Sequence, residues 1–140
     1  MSHRAPAPRK LRGLDLFSGI GGFTLGMERT GGFQTVAFCE IDPFCQRVIR
    51  RHWRDTPIYE DVRELTAATL RRDGIAVEII YGGFPCQGLS EAGGRGGFED
   101  ERSALWSEMP RLADELGVDY LVVENVPELL TGPPEQPGAW

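Results

Sequence analysis

The stretch Leu14-Asp-Leu-Phe-Ser-Gly-Ile-Gly-Gly22 determines the fold that we expect for this chain. Residues Leu11–Phe17 form a short apolar run, and glycines follow at Gly19, Gly21 and Gly22. Such a run, bounded by glycines, is typical of a buried β-strand that enters a tight loop. Glycine also lets the main chain approach a ligand closely. The stretch therefore predicts a strand followed by a candidate ligand loop.

Strand and helix signals alternate along the rest of the chain. Asp42-Pro43 is a helix start, with aspartate as the N-cap and proline at the first helical position. We expect Phe44, Val48 and Ile49 to face inward from this helix. Alternation of this kind predicts an α/β fold of Rossmann-like type, with a doubly wound, mostly parallel sheet. The predicted strands are Leu11–Phe17, Thr35–Glu40, Ile58–Glu60, Glu78–Phe84 and Asp119–Glu124, and the predicted helices are Phe23–Thr30, 42–53 and Leu105–Leu116.

The composition sets limits on the class of protein. The chain has 140 residues, of which 41% are hydrophobic and 26% are charged, as in an ordinary globular domain. It contains no run of 18 apolar residues and its N-terminus lacks the apolar core of a signal peptide, so we expect a cytoplasmic protein. The net charge of −6 has the wrong sign for a free-standing nucleic-acid binder. Residues 1–10 are expected to be a flexible leader before a single domain, 11–140.

Cysteine and histidine usage argues against disulfides and metals. The three cysteines, Cys39, Cys45 and Cys86, are an odd number without paired spacing, so they predict no disulfide framework. His3 and His52 lie near no Cys-x-x-Cys pair, so we expect no zinc site.

Each predicted strand ends in a polar or reactive residue. The carboxyl ends of parallel strands meet at one edge of the sheet, where ligands bind. Glu40 follows the glycine loop by about twenty residues, where an acid can accept hydrogen bonds from both ribose hydroxyls. The loop does not have the phosphate-binding G-x-G-x-x-G pattern, so a ribose ligand without phosphate, S-adenosylmethionine, fits better than a dinucleotide. Asp61 could then hold the adenine amino group; the alternative is a simple tight turn with solvated acids.

Cys86 and Glu124 are the candidate reacting groups. Cys86 follows Pro85 in a loop rich in glycine, so it is a candidate nucleophile, whereas Cys39 and Cys45 are expected to be buried and inert. Glu124 ends an apolar strand and could donate or share a proton, although a helix-capping role is the alternative. The glycine-rich segment 90–101 is expected to be a loop that closes over substrate, with Arg95 available for a phosphate.

These residues together resemble the DNA (cytosine-5)-methyltransferases of bacterial and phage type. Asp15-Leu-Phe-Ser-Gly-Ile-Gly-Gly22 is similar to the family's donor-binding motif, Gly83-Phe-Pro-Cys-Gln87 to its nucleophile motif, and Glu124-Asn-Val126 to its glutamate motif. The three motifs stand in the family's order, and the similarity runs from about Leu11 to about Leu130.

The resemblance implies a reaction on a cytosine flipped out of duplex DNA. Cys86 would attack C6 while Glu124 bonds or protonates N3, and C5 would then take the methyl group from S-adenosylmethionine. Loss of the C5 proton would expel Cys86. The resemblance also implies a set of contacts: with the donor, Phe17, Ser18, Gly19, Ile20, Gly21, Gly22, Glu40, Ile41, Asp61, Val62, Pro85 and Leu105; with DNA, Gln87, Ser90 and Arg95.

The chain departs from the family pattern after the glutamate motif. The family continues with a Gln-x-Arg-x-Arg segment, a target-recognition region and a late donor-site motif, none of which is in these 140 residues. We therefore expect a methyltransferase domain that is incomplete at its C-terminus, as a truncated product or as one half of a split enzyme completed by a second polypeptide, with the edge of the fifth strand exposed. The alternatives are an inactive remnant that only binds S-adenosylmethionine and, less well supported, a dinucleotide-binding oxidoreductase domain.

Overall fold

The structure, a computed structural model, describes residues 6–84 and 98–124, with the backbone alone for residues 98–104. Five strands and four helices follow one another in this part of the chain. They are β1 (Leu11–Leu16), α1 (Gly22–Arg29), β2 (Phe33–Cys39), α2 (Pro43–His52), β3 (Ile58–Tyr59), α3 (Ala67–Arg72), β4 (Ile79–Gly82), α4 (Phe98–Leu116) and β5 (Tyr120–Val123).

The five strands form one parallel sheet in the order β3-β2-β1-β4-β5. β1 is the central strand, and it is buried on both faces: Leu14 and Leu16 on one and Asp15 on the other are all fully buried. The chain moves outward from β1 to β3 and then crosses back to β4 on the other side of β1. This reversal places the loops after β1 and β4 side by side at the carboxyl edge, where open α/β sheets bind ligands.

Helices cover both faces of the sheet, as the sequence predicts. On one face, Phe23 of α1 stacks on Tyr81 of β4 with ring centroids 5.6 Å apart, and Phe38 of β2 packs against Trp53 after α2. On the other face, a core cluster joins the sheet to α3 and α4. Its fully buried members are Leu14, Leu16, Ala37, Leu70, Ile80, Met109 and Leu112.

The predicted strands and helices are confirmed within a few residues, but three local expectations are wrong. Phe44 is 61% exposed and Gln46 is buried in its place, whereas Ile49 is buried as expected. Helix α4 begins at Phe98, so the end of the expected loop 90–101 is helical; the glycines stop at Gly97 and the helix starts at the next residue. The sequence reading also missed α3, which Thr66 caps by accepting a hydrogen bond from the Thr69 N–H.

β5 is incompletely covered in the described part of the chain, where it pairs only with β4. Leu121 and Val123 point into the core cluster, whereas Tyr120 and Val122, on the opposite face, are 62% and 38% exposed. This agrees with the exposed edge expected for the fifth strand.

Candidate functional site at the carboxyl edge of the sheet

The loop between β1 and α1 has an unusual backbone. Phe17, Gly19 and Gly21 all have positive φ values, of 54°, 55° and 89°. A bulky residue such as Phe17 rarely adopts this left-handed conformation, and such strain persists only where surrounding contacts enforce it. Those contacts come from Ser18, whose buried hydroxyl lies 2.8 Å from the Asp15 carbonyl oxygen.

Glu40 holds this loop from the end of β2. Its Oε2 accepts a hydrogen bond from the Gly19 N–H at 2.6 Å, and its Oε1 accepts one from the Asp42 N–H at 2.8 Å. A carboxylate has about four acceptor positions, so each oxygen keeps capacity for one more donor, as two ribose hydroxyls would require. The side-chain amide of Gln46 donates to the Glu40 carbonyl at 2.7 Å and fixes the main chain beneath the carboxylate.

The surroundings of Glu40 suit a nucleoside. Ile20 and Ile41 are exposed beside the polar groups, and Phe17 is half-buried in the same loop. Among residues 6–84 and 98–124, nothing lies within 4 Å of the positions that a Cβ would take on Gly19 and Gly22, so this part of the structure leaves the loop open there. Apolar surface beside a carboxylate with spare acceptor capacity fits the adenosine part of S-adenosylmethionine.

Asp15 sits beneath the glycine loop as a buried carboxyl. Thr24 of α1 donates to its Oδ2 at 2.5 Å, and the Thr24 hydroxyl lies 2.9 Å from that of Thr35, which in turn bonds Tyr81. Burial raises the pKa of Asp15 from 3.8 to about 7, although the bonds from Thr24 and Ser18 oppose this shift. The carboxyl therefore takes up a proton near neutral pH, and it anchors α1 to the sheet.

Asp61 and Val62 follow β3. Arg63 binds the Asp61 carboxylate through its Nε and Nη2, at 2.9 and 2.7 Å, and these bonds lower the pKa of Asp61. Val62 is buried in the core, and its carbonyl accepts a hydrogen bond from Arg111 of α4. Asp61 thus stays ionised at the site, while the Val62 side chain serves packing.

The ends of β4 and β5 bring Glu124 beside the chain that leads to Cys86. The Glu124 N–H donates to the Gly82 carbonyl at 3.1 Å, and Glu124 Oε2 lies 2.8 Å from the position of a Cβ on Gly83. Glu124 is exposed, so its carboxylate is open to a substrate. Phe84 is buried against Trp106, with ring centroids 5.1 Å apart.

The next residues of the nucleophile segment lie outside the described residues. Leu105 is half-buried against the core cluster. Pro85, Cys86, Gln87, Ser90 and Arg95 all fall in the gap between residues 84 and 98.

The other two cysteines differ in environment. Cys39 is buried at the end of β2, and burial, together with the charges of Asp61 and Glu40, raises its pKa to about 12. This thiol is inert, as the sequence predicts. Cys45 is also free, but it is only half-buried on α2, which corrects the expectation of a buried thiol; partial burial and the nearby Glu40 and Asp42 raise its pKa.

Sequence reasoning missed three residues that support the site: Gln46, Thr24 and Trp53. A polar residue at a position that should face the core is a signal for Gln46, since a buried amide requires a partner. Thr24 and Trp53 carry no comparable signal, because their partners come from distant parts of the chain.

Within residues 6–84 and 98–124, no helix has the length and apolar character needed to cross a membrane. The same residues contain no group of three or more histidine, cysteine or acidic side chains that could hold a metal ion.

Known proteins resemble this chain in sequence and in fold. The sequence profile of the C-5 cytosine-specific DNA methylases matches residues 11–136. The type II methyltransferase M2.BsuMI of Bacillus subtilis is 34% identical over 121 residues, and M.Eco47II of Escherichia coli is 38% identical over 118. Each alignment covers 84% of this chain, but the chain spans only 29% and 27% of those relatives.

Solved structures show the same fold. A protein described as a DNA modification methyltransferase from an E. coli prophage superposes with a TM-score of 0.72 at 32% identity, covering 86% of this chain and 33% of that one. The Spodoptera frugiperda DNMT2 structure has a TM-score of 0.69 at 24% identity, covering 90% and 38%.

Proposed function

The chain belongs to the C-5 cytosine-specific DNA methylase family, and from this premise we propose that it forms the donor-binding and nucleophile-bearing part of a DNA (cytosine-5)-methyltransferase. The observation that carries the proposal is the Glu40 carboxylate, which bonds the glycine loop and keeps acceptor capacity at the carboxyl edge of the sheet. We place the reaction in the cytoplasm, where bacterial DNA is found.

Glu40 would bind the ribose hydroxyls of S-adenosylmethionine, and Asp61 would face the adenine amino group. Ile20 and Ile41 would provide apolar contact, and Phe17 would pack on the donor from its strained position. The bound donor supplies a methyl carbon made electrophilic by an adjacent sulfonium. The glycine loop would position this ligand. Within the loop, Ser18 bonds the Asp15 carbonyl, Gly21 provides a positive φ, and Gly22 begins α1.

Cys86 and Glu124 would carry the reaction on a cytosine flipped out of duplex DNA. The Cys86 thiolate forms a bond to C6 while Glu124 supports N3, which makes C5 nucleophilic. C5 would take the methyl group as the bond from that methyl to the donor sulfur breaks, which leaves S-adenosylhomocysteine. C5 would then lose its proton to water, the electron pair of the C5–H bond would restore the C5–C6 double bond, and the bond from C6 to the Cys86 sulfur would break. The position of Glu124 against Gly83, three residues before Cys86, supports this pairing.

The DNA cleft would be completed by protein outside the matched region. The relatives are more than three times as long as the region matched here, and the Tyr120–Val122 face of β5 is uncovered in the described part of the chain. Protein that covers this face could supply a basic DNA surface, since these 140 residues carry a net charge of −6. The second candidate is an inactive remnant that only binds the donor; it shares the Glu40 site and predicts no covalent step.

Donor binding is tested by calorimetric titration with S-adenosylhomocysteine. We expect one site per chain, and about 10- to 100-fold weaker binding in Glu40→Ala, because a hydrogen bond to a charged group contributes about 1.5–3 kcal/mol. Glu78→Ala is the matched control: Glu78 also accepts from a main-chain N–H, that of Arg12, but it lies at the opposite edge of the sheet. Equal binding by wild type and Glu40→Ala would contradict the proposed site.

The covalent step is tested with duplex DNA that contains 5-fluorocytosine, since fluorine at C5 blocks the final elimination and traps the adduct. With the donor and a complementing polypeptide present, we expect an adduct with wild type and with Cys45→Ser, and none with Cys86→Ser. Donor binding without any adduct would favour the inactive remnant.

A further inference from the structure

Trp53 lies against the glycine loop from outside the site. It ends α2, and its N–H donates to the Ile49 carbonyl at 2.8 Å. A Cβ on Gly21 would lie 2.5 Å from Cζ3 and 2.8 Å from Cη2 of the indole. The ring therefore fills the space beside Gly21, and only a glycine with positive φ fits there.

The other end of the same indole is fixed by a hydrogen bond. Its Nε1 donates to Glu28 Oε2 at 3.0 Å, and Glu28 Oε1 accepts from the Thr35 N–H of β2 at 3.0 Å. The ring also packs at a tilt against Phe38, with centroids 5.4 Å apart. Trp53 thus connects both ends of α1 to β2.

Helix α1 needs such support. It has only eight residues, its N-cap is Gly21 with no side-chain hydrogen bond, and it contains Gly22 and Gly26. A helix this short and this rich in glycine is unstable by itself. Asp15 and Tyr81 hold its inner face through Thr24 and Phe23, and Trp53 holds its flank.

The contacts also divide the glycine loop into a supported and an open part. Gly21 is buried against Trp53, whereas no atom of the described residues lies within 4 Å of a Cβ on Gly19 or Gly22. Trp53 thus supports the loop at Gly21 and does not obstruct Gly19, whose N–H donates to Glu40. The geometry points to Trp53 as a positioning residue: its indole keeps the glycine loop in the conformation that receives the methyl donor, a role that rests on the donor site proposed above.

Two substitutions of Trp53 distinguish a role in positioning the glycine loop from the simple filling of space. Trp53→Leu keeps an apolar side chain on Phe38 but lacks the reach to contact both Gly21 and Glu28. Trp53→Phe keeps an aromatic ring on Phe38 but loses the N–H donor and the outer ring atoms, Cζ3 and Cη2, that lie beside Gly21. Trp106→Leu is the matched control, because Trp106 is also half-buried but packs on Phe84 at the other face of the sheet.

The first measurement is amide hydrogen exchange by NMR in the free chain. The relevant amides are those of Gly21, which donates to the Ser18 carbonyl, and Leu25, which donates to the Gly21 carbonyl. We expect Trp53→Leu to accelerate exchange at both by tenfold or more while the sheet amide of Ile80 is unchanged. Trp53→Phe should fall between wild type and Trp53→Leu, and Trp106→Leu should leave both amides as in wild type.

The second measurement is the dissociation constant of S-adenosylhomocysteine. We expect it to rise tenfold or more in Trp53→Leu and to rise less in Trp53→Phe. Unchanged exchange at Gly21 and Leu25 in Trp53→Leu, or equal acceleration at Ile80, would overturn the positioning role. Failure of the proposed function has a different signature: the wild-type chain would not bind the ligand, although exchange at the loop still followed residue 53.

Discussion

Replacement of Asp15 by asparagine should remove a pH dependence of stability. The Asp15 side chain is fully buried, and burial raises its pKa from 3.8 to about 7. Between these values the folded chain holds a proton that the unfolded chain has lost, so the free energy of unfolding falls as the pH rises. At roughly 1.4 kcal/mol per unit, the wild type should lose about 3 kcal/mol between pH 5 and pH 8 through this group.

Asparagine resembles the protonated carboxyl and does not ionise, so Asp15→Asn lacks this loss. Urea unfolding at pH 5, 6, 7 and 8 measures it: the stability of the variant relative to wild type should improve by about 3 kcal/mol across this range. Asp73→Asn is the control, because Arg72 and Tyr59 lower the pKa of the exposed Asp73 and move its effect to acidic pH. A constant difference between Asp15→Asn and wild type from pH 5 to pH 8 would refute the reasoning.

Three further predictions concern the packing around the site, and urea unfolding tests each of them. Gly82→Ala should lower the free energy of unfolding by about 3 kcal/mol, because its Cβ would lie 2.0 Å from the Leu16 carbonyl oxygen. The adjacent Gly83→Ala should cost less, under about 1 kcal/mol, because its Cβ would lie 2.8 Å from the end of the Glu124 side chain, which can turn away, and 3.3 Å from the Glu124 carbonyl oxygen. Similar losses in the two variants would contradict the strand register. Asp42→Ala should lower the free energy of unfolding by about 1 kcal/mol, because it removes the N-cap of α2. Asp42→Ser should retain most of the wild-type stability, because serine is also a good N-cap. Arg111→Met should lower the free energy of unfolding by about 2–3 kcal/mol, because the guanidinium donates to the carboxylates of Glu108 and Glu115 and to the carbonyl groups of Val62 and Leu65. An unchanged free energy of unfolding would show that water replaces these hydrogen bonds.

The sheet could be predicted from the sequence because each strand has a local signal. The apolar run Leu11–Phe17 before glycines, and the Asp42-Pro43 helix start, both depend on neighbouring residues alone. The structure confirms both, with β1 at Leu11–Leu16 and α2 beginning at Pro43.

The errors arise where tertiary contacts override local pattern. Phe44 carries an apolar side chain, yet Gln46 is buried because its amide donates to the Glu40 carbonyl. Helix α3 is six residues long, too short for a clear period, and its burial of Leu70 depends on α4.

The site also has features that the local sequence predicts and features that depend on tertiary contacts. The position of Glu40 follows from its spacing to the glycine loop, and the structure shows the two joined by a hydrogen bond. The support of that loop by Trp53 could not be predicted, since the two segments are about thirty residues apart in sequence and meet only in the folded chain. The roles of Cys86 and Glu124 stay predictions.

A crystal structure of the chain with S-adenosylhomocysteine tests the central claim most directly. We predict the ribose hydroxyls within 3.2 Å of Glu40, a hydrogen-bond distance, with the Gly19 N–H still bonded to that carboxylate. A ligand bound elsewhere, or a ribose turned away from residue 40, would contradict the account.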